Sequence, residues 1–209
     1  MDSKEDHQYD PFFIDIFRTW KTCCQMLVDR GYTIPANFTT AENNDFFTLY
    51  QNTDAPVGFN NYDILGNKDT KQILVKFILD KEAVNTKDII AIRTNVSNTY
   101  SEETSIMYII KSKANTFVNR EIRETDEVFL YTELIFNRTK HRLVPKHTLL
   151  TDAEKRDILQ TYDCKDTQIP RMVTTDYVCK YFGAKVGDMF KIERPSPSSG
   201  FYITYRVVK

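Results

Sequence analysis

Apolar residues recur at three- and four-residue steps near the start of the chain. Phe13, Ile16, Phe17, Trp20, Cys24 and Leu27 fall on one face of a helix. Asp10-Pro11 marks its start and Gly31 its stop. Residues 33–70, rich in Asn, Asp, Thr and Gly, predict irregular structure with at most a short helix. Short apolar runs with β-branched residues at 73–79 and 106–110 predict buried strands. Residues 86–97 fit either a helix opening at Thr86 or the end of a turn. Residues 128–136 alternate in two registers and read as a further strand. The polar run Asn137 to Arg142 then separates two apolar segments and marks a domain boundary.

The tail is patterned more plainly. Thr151-Asp152-Ala153-Glu154 is a capping box, in which hydroxyl and carboxylate each serve the other residue's backbone N–H. Ile158, Leu159 and Tyr162 form the buried face of the helix it opens. Asp176 caps a second helix that ends at Gly183. Residues 189–193 and 201–208 predict two strands, joined by a loop over 194–200 too long for a tight hairpin.

The chain has 209 residues, 41% of them apolar and 13% aromatic, enough for one large domain or two small ones. No apolar run approaches the ~20 residues of a membrane helix, and Met1 to Asp6 is polar and acidic, unlike a secretory signal. Net charge is -1, but it is unevenly placed. From residue 139 onward there are 13 Lys and Arg against 8 Asp and Glu, net +5. The whole-chain totals of 28 and 29 leave 15 and 21 before it, net -6. An acidic front argues against strong DNA binding by the free chain, because phosphate neutralisation needs cations. The basic back suits an acidic protein surface or nucleic acid.

Candidate chemistry is sparse. His7, His141 and His147 are too scattered for a metal site, and Cys23, Cys24, Cys164 and Cys179 lack C-x-x-C spacing. Reduced thiols in a cytosolic or nuclear protein fit this usage. No Gly-rich phosphate loop and no G-x-S-x-G elbow occurs. No cofactor, metal or membrane partner is therefore expected. Asp69-Thr70-Lys71 before the 73–79 strand fits the acid and lysine of a magnesium-dependent nuclease. The pattern is short, and Asp163-Cys164-Lys165 repeats it elsewhere. Lys111, Lys113, Asn115 and Arg120 form a mildly basic stretch, read either as a phosphate contact or as a solvated loop.

The tail carries Leu143-Val144-Pro145-Lys146-His147, Gln168-Ile169-Pro170-Arg171, Tyr181-Phe182-Gly183, Lys191-Ile192, Arg194-Pro195-Ser196 and Gly200-Phe201-Tyr202-Ile203-Thr204-Tyr205-Arg206. In that order it resembles the assembly domain of a shared RNA polymerase subunit, called H in archaea and the fifth largest in eukaryotes. Asp29-Arg30-Gly31-Tyr32, Glu133-Leu134 and Asn137 to His141 extend the resemblance forward. Because the archaeal subunit has only the tail domain, the longer chain resembles the eukaryotic two-domain type.

The resemblance implies an α/β fold, with a mixed α/β jaw domain over 1–138 and a small α+β assembly domain over 139–209. It implies a subunit with no catalytic residues, its tail docked on the largest subunit and its jaw beside downstream double-stranded DNA. His147, Pro170, Arg171, Arg194, Tyr202, Tyr205 and Arg206 are the candidate largest-subunit interface, though the same residues would also serve to hold the small domain together. Lys111, Lys113, Asn115 and Arg120 are the candidate DNA-proximal set.

Three departures stand out. The family's Thr-Pro-Ser-Ala segment falls at Asn115-Thr116-Phe117-Val118, without the Pro-Ser pair. Its Asp-Pro is Asp176-Tyr177, and its Gly-Arg-Tyr is Gly200-Phe201-Tyr202. A divergent jaw beside a preserved tail suggests a specialised polymerase, such as that of a large DNA virus infecting eukaryotes. The expected location is the nucleus, or a cytoplasmic viral factory and the virion if the chain is viral. The alternatives are a magnesium-dependent nuclease built on Asp69 and Lys71, and a transiently bound transcription regulator.

Overall fold

The computed structural model describes residues 10–51, 59–196, 198 and 200–209. Met1 to Asp6 and His7 lie outside this set, as do Pro197 and Ser199 of the 194–200 loop. The chain divides into two compact units, Met1–Phe136 and Asn137–Lys209. Both mix helices with a four-stranded sheet.

The N-terminal unit is built on β1 (Ile64–Lys68), β2 (Lys71–Ile78), β3 (Ser105–Ile110) and β4 (Glu127–Leu130), side by side in that order. β1 runs antiparallel to β2, whereas β2, β3 and β4 are parallel. Parallel strands need crossovers. These are α4 (Thr86–Thr99) between β2 and β3, and α5 (Thr116–Glu121) between β3 and β4. The choice left open at 86–97 resolves as a helix, opened by a capping box between Asn85 and Asp88. Leu74, Ile78, Ile106, Tyr108 and Ile110 form one core cluster with Ile89 and Val96 of α4 and Val118 of α5. The alternate residues Val75, Phe77, Met107 and Ile109 are equally buried, which requires a second layer on the other face.

That second layer is aromatic. α1 (Pro11–Asp29) buries the whole stripe read from its spacing, and Gly31 at φ +83° closes it where a side chain would be strained. Arg30 then forks onto Glu127 of β4 through two contacts of 2.7 Å. Residues 33–70 depart from expectation. They hold α2 (Ala36–Thr40), α3 (Asn43–Gln51) and β1. The cause is long-range. Phe38 and Phe46 each lie 5.1 Å from Trp20, so the helices form on an aromatic cluster rather than on local propensity. β1 depends on a close approach: a Cβ on Gly66 would lie 3.2 Å from Ile73 Cγ2 and 3.4 Å from Leu27 Cδ1.

The strand expected over 128–136 is also corrected. β4 stops at Leu130 and the chain turns into α6 (Tyr131–Leu134). Leu134 is buried, and Thr19 Oγ1 of α1 donates to the Tyr131 carbonyl at 3.1 Å. The double register was a change of period, from two to about four.

In the C-terminal unit β5 (Lys146–Leu149), β7 (Met189–Ser196), β8 (Gly200–Val208) and β6 (Arg171–Met172) lie in the order β5-β7-β8-β6. Only β6 runs parallel to its neighbour. α7 (Asp152–Thr161) opens with the predicted capping box, the Glu154 carboxylate taking the Thr151 N–H at 2.8 Å. α8 (Tyr177–Phe182) is capped by Asp176, which accepts from Val178 N at 2.8 Å, and ends at Gly183. Val178 and Cys179 pack on Met172, Phe190, Ile192 and Val208.

Two expectations fail here. The α7 face is not buried: Ile158 and Leu159 are half-buried and Tyr162 is 63% exposed. A stripe records which way a helix faces, and not that the same unit covers it. The 189–193 and 201–208 strands are also longer than read. Their ladder reaches Ser196 opposite Gly200, which leaves only residues 197–199 to connect them.

Candidate protein and nucleic-acid interfaces

The β7–β8 register decides which candidate residues meet. His147 lies opposite Ile192, Arg194 opposite Tyr202, and Phe190 opposite Arg206. Side chains alternate across a sheet, so His147, Arg194, Tyr202 and Arg206 share one face. α8 packs on part of that face through Phe190 and Ile192. The result is a basic surface with an aromatic residue in it, Tyr202 being 59% exposed.

His147 is half-buried, edge-on to Phe190 at 6.1 Å, with Nδ1 2.7 Å from the Pro145 carbonyl. Burial holds its pKa below the ordinary histidine value, against the Pro145 carbonyl and Asp176, while Arg194 and Arg206 add to the lowering. A neutral ring facing a carbonyl through Nδ1 must carry its proton there. Nε2 is then left as an acceptor.

Tyr205 lies opposite Lys191, on the other face, 5.9 Å from the Tyr162 ring. Pro170 and Arg171 sit beside the end of β8: the Pro170 carbonyl accepts from Val207 N at 2.9 Å, and Arg206 Nη1 donates to the Arg171 carbonyl at 3.3 Å. The seven candidates therefore fall on two faces and one edge of a single sheet. Sequence reasoning passed over Tyr162, Phe201 and Ile203, which are 63%, 74% and 44% exposed. The signal available was Gly200 to Tyr205, six residues without a charge.

The DNA-proximal set is more dispersed in role. Lys111 pairs with Glu82, which raises its pKa, and its Nζ lies 5.5 Å from the Phe12 ring. The Asn115 side-chain oxygen is committed to capping α5, accepting from Val118 N at 2.8 Å. Arg120 stacks over Phe117 at 5.9 Å, and Lys113 is exposed.

Asp69 and Lys71 have a local explanation. β1 and β2 are joined with Lys68 opposite Lys71, so Asp69 and Thr70 are the turn, and Asp69 takes φ +50°. Asp tolerates that left-handed conformation better than most residues. Asp69→Gly is expected to keep stability within about 0.5 kcal/mol of wild type, whereas Asp69→Val costs about 1–2 kcal/mol. Thermal melts of the two variants check this; equal losses would mean the carboxylate itself matters. Among the described residues no three His, Cys, Asp or Glu side chains gather as a metal site, and no helix is long and apolar enough to cross a membrane. Burial pushes the Cys24 thiol up to about 12 and Cys179 to about 11, so neither supplies a thiolate at neutral pH.

Residues 13–96 match the family model for the RNA polymerase Rpb5 N-terminal domain, and residues 136–208 match that for the Rpb5 C-terminal domain. A Dictyostelium discoideum protein, DNA-directed RNA polymerases I, II, and III subunit rpabc1, is 34% identical over 198 residues, covering 90% of this chain and 93% of the relative. The chain belongs to the RNA polymerase Rpb5 family.

A Caenorhabditis elegans RNA polymerases I, II, and III subunit RPABC1 is 30% identical over 205 residues, 93% of this chain and 97% of its own length. An Arabidopsis thaliana DNA-directed RNA polymerase subunit 5-like protein 1 is 31% identical over 198 residues, with coverages of 91% and 94%. The similarity thus spans both units. Neither Rpb5 model covers residues 97–135, the stretch that holds Lys111, Lys113, Asn115 and Arg120.

Proposed function

We propose that this chain is a non-catalytic subunit of a multisubunit DNA-directed RNA polymerase. The observation that carries the reading is similarity along both units to subunits of DNA-directed RNA polymerases. The C-terminal unit anchors it to the largest subunit. His147, Arg194, Tyr202 and Arg206 form one part of that contact, and Pro170, Arg171 and Tyr205 the other. An exposed tyrosine between arginines has the composition of an interface centre, where aromatic and Arg side chains supply most of the affinity. The N-terminal unit stands beside downstream DNA, with Lys111, Lys113, Asn115 and Arg120 nearest to it. Its net charge of -6 before residue 139 makes that contact weak, so it operates only within the complex. The chain works where its polymerase works: the nucleus, or a cytoplasmic factory if the polymerase is viral.

The test is affinity capture of the tagged full chain from its native source, with mass spectrometry of what stays bound. Two very large polymerase subunits in amounts equal to the chain are expected, retained through salt washes. A lone monomer overturns the reading. Loss of the polymerase at the first salt wash would favour a transient regulator.

A further inference from the structure

β8 is nine residues long, and its outer neighbour β6 is only two. β6 pairs with Val207 and Val208 and no further. Among the described residues, the edge of β8 from Gly200 to Tyr205 therefore has no strand beside it on that side.

Residues of an antiparallel pair alternate between those whose N–H and C=O face the partner and those whose groups face away. Val208 N–H donates towards β7, to the Asp188 carbonyl at 2.8 Å, and Val207 N–H donates outward to Pro170. The alternation turns Phe201, Ile203 and Tyr205 outward as well. Pro195 agrees: it lacks an N–H and lies opposite Phe201, at a position where none is needed. Among the described residues, no group bonds the outward N–H or C=O of Phe201, Ile203 or Tyr205.

Natural sheets protect a free edge by keeping it short, charging it, inserting proline or covering it. Gly200 to Tyr205 has no charge and no proline, and Phe201 and Ile203 are well exposed. An edge left in this condition is suited to taking another strand.

We infer that an extended segment of a partner polypeptide adds to this edge, taking up the line that β6 occupies for only two residues. The partner segment is apolar where it passes Phe201, Ile203 and Tyr205, and acidic where it reaches Arg206 and Arg171. A second copy of the chain fits less well. Antiparallel pairing of two β8 edges brings Arg206 of one copy towards the Gly200 end of the other, two strand spacings (about 10 Å) from its Arg194 on the same face, so like charges approach. An acidic partner removes that conflict. This rests on the polymerase-subunit reading, since Tyr205, Arg171 and Arg206 belong to the proposed docking surface. It adds that the backbone itself is recognised.

The experiment uses the full chain, free and captured on its polymerase. In the free chain the amides of Phe201, Ile203 and Tyr205 exchange fast, while Tyr202, Thr204 and Arg206 are protected by β7. In the complex the amides of Phe201, Ile203 and Tyr205 slow by at least about tenfold. Ile203→Pro removes one outward N–H without touching the β7 ladder, so polymerase recovery falls at least about tenfold with the chain still folded. Ile203→Val recovers normally. Unprotected amides in the complex, or full recovery of folded Ile203→Pro, overturn the inference. If that variant unfolds, the exchange pattern of the wild type decides alone. Protection in the free chain that grows with concentration, with a dimer in sedimentation, assigns the edge to a second copy. A wild-type chain that captures no polymerase subunits overturns the subunit reading and this occupant with it.

Discussion

Lys76→Ala is expected to cost the N-terminal unit about 3–5 kcal/mol at neutral pH. Lys76 Nζ lies 2.6 Å from Asp63 Oδ2, and the two side chains are only 5% and 4% exposed. The same carboxylate takes Asn60 N–H at 2.8 Å and Phe77 N–H at 3.1 Å, which ties the segment before β1 to the end of β2. Removing the lysine leaves a buried carboxylate with hydrogen bonds but no counter-charge.

Burial already pushes the Asp63 carboxyl up from its ordinary value, and the Lys76 charge is the largest influence pulling it down. Without Lys76 it climbs further. A carboxyl raised in the folded state favours folding while protonated. Its contribution is full below the unfolded value of about 3.9 and is lost as pH rises through the folded value. The deficit of the variant against wild type should therefore be smallest near pH 4 and widen towards neutrality. Urea unfolding of both chains at matched pH measures it. A small, pH-independent deficit would mean that the two backbone donors, and not the lysine, hold the carboxylate.

What could be read from the residues divides along a physical line. α1 was legible because six apolar residues recur at helical spacing between Phe13 and Leu27 of a 19-residue helix. β2 and β3 were legible because apolar β-branched runs have few other homes. The α7 and α8 caps were legible because capping is local: Thr151 with Glu154, Asp176 with Val178. β1 was missed because Gly66, Asn67 and Lys68 become strand only against β2 and under Leu27. β6 was missed for the same reason, being two residues held by Val207 and Val208, far along the chain.

The candidate interface was half legible. That Tyr202 and Tyr205 point to opposite faces follows from their odd spacing. That Arg194 lies across from Tyr202, and Phe190 across from Arg206, depends on register and could not be read. Spacing likewise revealed the α7 stripe but not that Tyr162 stays exposed, because exposure is a property of what packs against a face. The family was legible from the order of short motifs in the tail.

Trp20→Ala is expected to destabilise the N-terminal unit by about 3–5 kcal/mol, the cost of emptying a large buried site that its neighbours refill only in part. Trp20 is fully buried, and its rings face Phe38 and Phe46 at 5.1 Å and Phe17 at 6.4 Å. Its Nε1 donates to the Tyr62 carbonyl at 2.9 Å, so truncation also strands an acceptor. α2 and α3, which the chain's local propensities do not support, lose the ring they form on. Trp20→Phe, which keeps the bulk and loses the donor, should cost less, about 1–3 kcal/mol. Trp20 is the only tryptophan in the chain, so in the wild type its fluorescence reports unfolding of this unit alone. The variants are followed by circular dichroism and by amide exchange in residues 137–209. Those amides should not change, and recovery of polymerase should persist, because the residues proposed to anchor the chain belong to the C-terminal unit. Loss of recovery with residues 137–209 still protected would place part of the anchor in the N-terminal unit, on the elements that Trp20 organises.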